Sequence, residues 1–232
     1  MGDRADAAGR AFKGSQLQTQ IYVNRHPNDL AAAVRQELST LPDEAELTWV
    51  SPIVEGGYAE YQDMAFLRAV GLEAHSSSLS DFWPARGPVW DALAVVESEG
   101  DRPGVVLAEG KSYPGELFGG GCKASEPSRS QMAQAIARTQ RWIGSEEDPD
   151  EWMGRLYQTA NRMAHLYWLR EVIGVRAWLV HLLFVDDPHG PTTRDQWVAA
   201  MEAASAELGL AGVVVPHVGH VLLDARDRAE LL

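Results

Sequence analysis

Two short apolar runs on either side of a turn-forming stretch stand out in the hydrophobic pattern of the chain. Apart from Asp91, residues 91–96 and 105–108 are apolar, whereas residues 98–104 contain the Gly, Asp and Pro that favour turns. This pattern predicts a β-hairpin. Apolar side chains on both faces of its strands are typical of a central strand pair that is covered on each side of the sheet.

The rest of the chain alternates between helical and strand-like patterns. Apolar spacing and capping residues predict helices over residues 28–39, 58–70, 128–143, 150–172 and 193–208, the third with a capping box from Ser128 to Gln131. Strands are predicted over residues 20–24, 47–51, 175–185, 213–216 and 218–223. Residues 1–20 are expected to form a polar arm, 73–84 and 112–128 loops, and 21–232 a single domain. This order predicts an α/β fold in which helices flank a mixed central β-sheet.

Charged side chains are expected to meet at one end of the hairpin. If the turn is centred on Asp101, Asp91 lies opposite Lys111, and Glu109 is its diagonal neighbour on the same face. Neighbours across two strands lie about 4.5 to 8 Å apart, which allows two carboxylates to share one cation. A centre half a step away would put Asp91 on the other face, so the prediction requires a turn with an odd number of residues.

An Asp, an apolar hairpin and then a Glu-x-Lys sequence resembles the active-site pattern of the PD-(D/E)XK nuclease superfamily, which has the restriction-endonuclease-like fold. Asp91, Glu109 and Lys111 occupy the three matching positions, although Trp90 stands directly before Asp91. The resemblance covers about residues 47–186. It implies that the Asp and the Glu bind Mg²⁺ or Mn²⁺ and that the Lys positions the attacking water.

These residue types suit the hydrolysis of a phosphodiester bond. A hard cation held by one or two carboxylates can stabilise charge on phosphate oxygens and lower the pKa of a bound water. Lysine is a compact cation on a flexible stem and can contact both phosphate and water. The alternative is an ordinary ion pair between Lys111 and the two acids at a strand end, which contributes little to stability.

The resemblance also suggests residues beyond these three. Many members of the superfamily supply another acidic ligand from a helix before the hairpin, and Glu60 is the candidate here, with Glu55 and Asp63 as alternatives. Some place a glutamine near the metal on the helix that follows, which makes Gln134 a candidate for substrate binding.

Two further residues are candidates for contacting a polynucleotide. Arg138 lies in a segment with several basic residues after the hairpin. Trp83 could stack on a base, since stacking contributes about 1 to 3 kcal/mol per base in single-strand binders. Core packing is the alternative for Trp83, and a solvated helix face is the alternative for Arg138.

Composition narrows the classes of function. A net charge of -13 argues against adhesion to nucleic acid over the whole surface, so a local site would have to bind it. Cys122 is the single cysteine, which excludes an intrachain disulfide and a multi-cysteine zinc site. No third ligand accompanies His217 and His220 at a spacing typical of zinc sites.

No apolar run reaches the roughly 20 residues of a membrane helix, and the N-terminus lacks a signal-peptide core, so a cytoplasmic protein without membrane association is expected. The expected function is a metal-dependent nuclease that acts on DNA or RNA. The alternative is a non-catalytic module of the same fold that binds a protein or nucleic acid. Many nucleases of this fold act as dimers, so the resemblance also admits a homodimer.

Overall fold

A five-stranded mixed β-sheet lies at the centre of the molecule, with its strands side by side in chain order. This computed structural model describes residues 4–98 and 102–232. The strands are β1 (Glu46–Ser51), β2 (Ala92–Glu97), β3 (Gly104–Lys111), β4 (Arg176–Val185) and β5 (Val218–Asp224). β1, β2 and β3 pair antiparallel, and β3, β4 and β5 pair parallel. The predicted α/β fold with a mixed central sheet is confirmed.

Helices cover both faces of this sheet. They are α1 (Gly14–Arg25), α2 (Pro27–Glu37), α3 (Asp63–Ala69), α4 (Ser76–Phe82), α5 (Ser128–Ile143), α6 (Pro149–Trp152), α7 (Tyr157–Tyr167) and α8 (Arg194–Glu207). A π-helical turn, Trp168–Val172, continues α7. Among the described residues, no helix has both the length and the hydrophobicity to cross a bilayer.

The two hairpin strands, β2 and β3, direct alternate side chains to opposite faces of the sheet, so they contribute to both halves of the core, as predicted. Ala92 and Ala94 pack on the side of α1 and α2, together with Val106 and Ala108. Leu93 packs on the opposite side with α3, α4, α5 and α7. α8 lies over the end of β4, beside Leu183 and Val185. The buried aliphatic surface on each face fixes which side chains of β2 and β3 point to which layer.

The hairpin register differs by two residues from the predicted one. Ala92 pairs with Ala108, whereas a centre at Asp101 would have paired it with Gly110. Asp101 itself lies outside the described residues. A shift of two residues keeps every side chain on its predicted face, because side chains alternate with a period of two. Extending the observed register by one residue places Asp91 level with Glu109.

The N-terminal part of the chain forms a helix where a strand was predicted. Residues 20–24 belong to α1, and residues 14–20 of the expected polar arm form its first half. Gln18 is buried there and exchanges hydrogen bonds of 3.0 and 2.7 Å with the backbone of Arg226. Gln20 similarly accepts from Ala11 N and donates to the Gly9 carbonyl. Backbone groups outside α1 therefore form hydrogen bonds with the buried polar side chains of this helix.

Four other predictions of local structure are wrong. Residues 76–82, predicted as loop, form α4, and residues 213–216 do not form a strand. Within the described residues no side chain caps α5, and Gln131 donates to the Ser80 carbonyl instead. Glu60 precedes α3, which begins only at Asp63, so Glu60 is not a helical residue as predicted.

Candidate functional site

The end of β3 carries two buried charged residues. Glu109 is 5% exposed and Lys111 is 7% exposed. Both side chains leave the same face of the strand, and Lys111 Nζ donates to Glu109 Oε1 at 2.6 Å. The predicted proximity of this Glu and Lys is therefore present, in a direct ion pair.

α7 supplies two further polar side chains that contact this pair. Arg162 Nε donates to Glu109 Oε2 at 2.9 Å, and Gln158 Oε1 accepts from Lys111 Nζ at 3.2 Å. Gln158 and Arg162 are four residues apart, so they share one face of the helix. The guanidinium of Arg162 also donates to the Val89 carbonyl and lies 5.7 Å from the ring centre of the buried Trp90. These contacts fix the position of the guanidinium.

Asp91 reaches the site from the position just before β2. Its Oδ2 accepts from Gly110 N at 2.8 Å, which holds the carboxylate against the strand between Glu109 and Lys111. Burial raises the pKa of Asp91 well above its ordinary value, and the charges of Glu109 and Glu60 raise it further. The positive charges of Lys111 and Arg162 only partly offset this effect.

An antiparallel bridge brings Glu60 to the same place. Trp90 N donates to the Tyr61 carbonyl at 2.9 Å, so the residue before Asp91 pairs with the residue after Glu60. Glu60 Oε1 accepts from Gln16 of α1 at 3.1 Å. Burial raises the pKa of Glu60, and the charge of Glu109 adds to the increase. The predicted acidic group is thus present, although Glu60 comes from an extended segment.

The acids of this cluster differ in how well their charge is compensated. Burial alone would raise the pKa of Glu109, but Arg162 and Lys111 outweigh it and lower that pKa. Asp91 and Glu60 have no cation in hydrogen-bond contact within residues 4–98 and 102–232. A low-dielectric setting strengthens the mutual repulsion of such acids. An added positive charge would therefore stabilise the ionised form of the cluster.

The donor set fits a divalent cation that keeps several waters. Asp91 Oδ1 and Glu60 Oε2 accept no hydrogen bond from a described residue, whereas both oxygens of Glu109 are already occupied. In the described part of the chain, no three His, Cys, Asp or Glu side chains are arranged to hold a metal ion by themselves. Mg²⁺ commonly uses only one or two carboxylates and retains waters.

The candidate substrate-binding residues do not join this cluster. Trp83 is only 2% exposed and packs edge-on against His165, so no face is open to a base and the expected stacking role is wrong. Gln134 and Arg138 lie on the exposed face of α5. Within the described residues, neither makes a hydrogen bond to Asp91, Glu109 or Lys111. Their role in binding substrate stays a prediction.

Arg162 and Gln158 are the site residues that sequence reasoning missed. The segment that forms α7 carries an apolar stripe, which is typical of a helix that packs on the core. The sequence signal for these two residues is the presence of polar residues within the apolar stripe. Three of them, Asn161, Arg162 and His165, are buried in the structure. A charged residue is almost never fully buried without a partner, so Arg162 pointed to a buried acid elsewhere in the chain.

No protein-family model matches this chain, and no curated protein or solved structure matches it either.

Proposed function

We propose that this protein is a metal-dependent nuclease that hydrolyses phosphodiester bonds in DNA or RNA. Asp91 and Glu109 hold Mg²⁺ or Mn²⁺, Glu60 assists them, and Lys111 positions the water that attacks phosphorus. The observation that carries the proposal is the cluster itself. Three acids and two cations converge at one end of β2 and β3, and the pKa of Asp91 is raised despite both cations.

The charge balance of the cluster supports a divalent cation. With all five groups ionised, three acids outnumber Lys111 and Arg162 by one charge. When bound, the ion would stabilise charge on phosphate oxygens and lower the pKa of a coordinated water. Asp91 can bind the ion through Oδ1 without losing a hydrogen bond to a described residue, whereas Glu109 must share one of its oxygens with Lys111 or Arg162. We therefore expect Asp91 to contribute most of the affinity for the metal.

Lys111 retains a donor for the reaction. A lysine ammonium has three N–H donors, and among the described residues only Glu109 and Gln158 accept from it. The third donor can orient a water or contact a phosphate oxygen. Arg162 neutralises the other oxygen of Glu109 and lies against Trp90, so it acts as a positioning residue.

A cleavage assay tests this proposal. Supercoiled plasmid, single-stranded DNA and RNA would each be incubated with the protein in MgCl₂, MnCl₂ or EDTA. Cleavage should require the metal, and Asp91→Asn or Lys111→Ala should slow it by about 100-fold or more. The exposed Glu73, in the turn before α4, provides a matched control as Glu73→Gln and should leave the rate unchanged. Cleavage that survives both site variants would exclude this cluster as the active site.

A second candidate function is a non-catalytic module of the same fold that binds a protein or nucleic acid. The observation that favours it is the compensation of Glu109, because Lys111 and Arg162 occupy both of its oxygens without any metal. A calorimetric titration with MgCl₂ and MnCl₂ separates the two functions. Binding of neither ion at millimolar concentration favours the module.

A further inference from the structure

A cavity of about 770 Å³ lies at the β5 edge of the sheet, beneath α8 and the segment that follows it. Its floor is formed by β4 and β5, its roof by α8, and its outer wall by residues 210–215. Thr159 and Met163 of α7 form a further wall. This volume falls within the range of about 300 to 1,000 Å³ that is typical of small-molecule sites.

Two histidines form the polar part of the cavity floor. His181 of β4 pairs in register with His220 of β5, and their rings stack with centroids 5.1 Å apart. His181 is only 2% exposed. Among the described residues, the Nδ1 atoms of both rings are buried and have no hydrogen-bond partner. Buried polar atoms almost always have partners, and both rings line the cavity, which points to a ligand that bonds to them.

The remaining walls are mostly apolar. Trp197, Met201 and Leu208 line the roof, and Leu183 lies beside His181 on the floor. Exposed valines surround the opening, and among them Val214 is 88% exposed. Apolar side chains at the rim of a cavity are typical of ligand entry sites.

The charges around the cavity select against ionic ligands. In its neutral form each imidazole offers one donor and one acceptor, so the two rings can bond a neutral polar group. Glu37 and Glu202 are exposed residues at its margin and would repel an anion. A cation would lose its hydration among apolar walls and neutral rings.

We propose that this cavity binds a neutral, mainly apolar small molecule that carries a hydroxyl or amide group, with His181 and His220 hydrogen-bonded to that group. The inference does not depend on the proposed nuclease activity. It rests on the volume, the apolar walls and the unpartnered ring nitrogens.

A fluorescent probe with matched chemistry tests the inference on the full chain. N-phenyl-1-naphthylamine is neutral and apolar and has one N–H group, so its fluorescence should rise saturably when the protein is added. Three competitors with the same chain, 1-octanol, octanoate and octylammonium, would then displace it. We expect 1-octanol to displace the probe at a concentration at least about tenfold lower than either ion requires.

Two substitutions locate the site. Ser205→Trp places a large ring among the lining residues of α8 and should abolish the fluorescence increase. His181→Leu keeps the apolar floor and should retain probe binding, but it should reduce the preference for 1-octanol at least fivefold. Val172→Ser, at an exposed valine outside the cavity, serves as the control and should change nothing.

Circular dichroism melting curves would confirm that each variant is folded. No saturable signal with the wild-type protein would overturn the proposal. Equal displacement by all three competitors would also overturn it, as would an undiminished preference for 1-octanol in His181→Leu.

Discussion

At the scale of single residues, the neighbouring carboxylates of Glu109 and Asp91 have pKa values that are shifted in opposite directions. Glu109 is bonded to Lys111 and Arg162, which lower its pKa although burial opposes ionisation. Asp91 accepts only a backbone N–H among the described donors, and its pKa is raised. Ionisation of Asp91 therefore destabilises the folded protein.

Asp91→Asn should stabilise the protein at alkaline pH. The folded state holds the proton of Asp91 more tightly than the unfolded chain, so stability is lost as the pH rises through the raised pKa. Asparagine keeps an acceptor for Gly110 N and carries no charge. We expect the free energy of unfolding at pH 8 to rise by about 1 kcal/mol, with a smaller gain near pH 4.

Urea unfolding of wild-type and variant protein at both pH values measures this gain. Asp63→Asn is the matched control, because Asp63 uses both carboxylate oxygens to accept from the backbone of Arg86 and Gly87. That variant should lose stability. A loss of stability in Asp91→Asn at pH 8 would contradict the account of the cluster.

The three charged residues of the hairpin could be predicted from the sequence, and their partners on α7 could not. Asp91, Glu109 and Lys111 belong to one hairpin, and strand alternation together with a turn of an odd number of residues places them on one face. Arg162 lies 53 residues beyond Glu109. Its contact depends on how α7 crosses the sheet, and local pattern does not encode that crossing.

At the scale of elements, the strands with regular alternation were predictable and α1 was not. β1 to β5 all coincide with predicted strands to within a few residues. α1 carries Gln18, Thr19 and Gln20 at buried positions, so it lacks the amphipathic pattern that identifies a helix. Its polar groups are satisfied by residues as distant in sequence as Arg226, and such contacts leave no local signal.

The packing of α1 on β3 gives a prediction at this scale. A Cβ atom at Gly110 would lie 2.6 Å from the Thr19 hydroxyl oxygen, which is buried and has no hydrogen-bond partner among the described residues. Gly110→Ala should therefore force α1 away from the sheet and cost about 1 to 3 kcal/mol of unfolding free energy. Thr19→Ala removes the clashing oxygen and should by itself cost little.

A double-mutant cycle with urea unfolding isolates this contact. The combined variant should recover at least half of the loss caused by Gly110→Ala, since the next atom, Cε2 of Phe184, lies at 3.3 Å. Strictly additive losses in the two variants would show that the clash does not govern the approach of α1.

At the scale of the whole molecule, the order of elements and the layers of the sheet were predictable, whereas the cavity was not. Apolar strands require cover on both faces, and helices predicted around them provide it. The size of the cavity depends on the distance between α8 and β4 and on the path of residues 210–215. Residues 213–215 of this segment belong to a predicted strand that the structure does not form. Local hydrophobicity does not determine such a gap between layers.

Buried histidines predict a loss of stability in acid. Burial lowers the pKa of His165 to about 4, and this side chain is only 2% exposed between the rings of Trp83 and Trp90. Below the ordinary histidine pKa of about 6.5, His165 binds a proton in the unfolded chain but stays neutral in the folded protein. Stability should therefore fall between about pH 6.5 and pH 4, by roughly 3 kcal/mol from His165.

Unfolding free energies measured across this range would check the slope. His165→Phe preserves a ring between the two tryptophans and should flatten the pH dependence. His189→Gln, at an exposed histidine, should leave it unchanged. An identical slope in His165→Phe would show that His165 does not resist protonation in the fold.

The proposed nuclease activity requires that the cluster of Glu60, Asp91, Glu109 and Lys111 bind a divalent cation. The most direct measurement is a Mn²⁺ titration in which electron paramagnetic resonance reports the free ion, with wild-type protein, Asp91→Asn and the control Glu73→Gln. We expect one saturable site in the wild type and in Glu73→Gln, with affinity at least about tenfold weaker in Asp91→Asn. Equal binding by Asp91→Asn and the wild type, or no binding by the wild type at millimolar Mn²⁺, would contradict it.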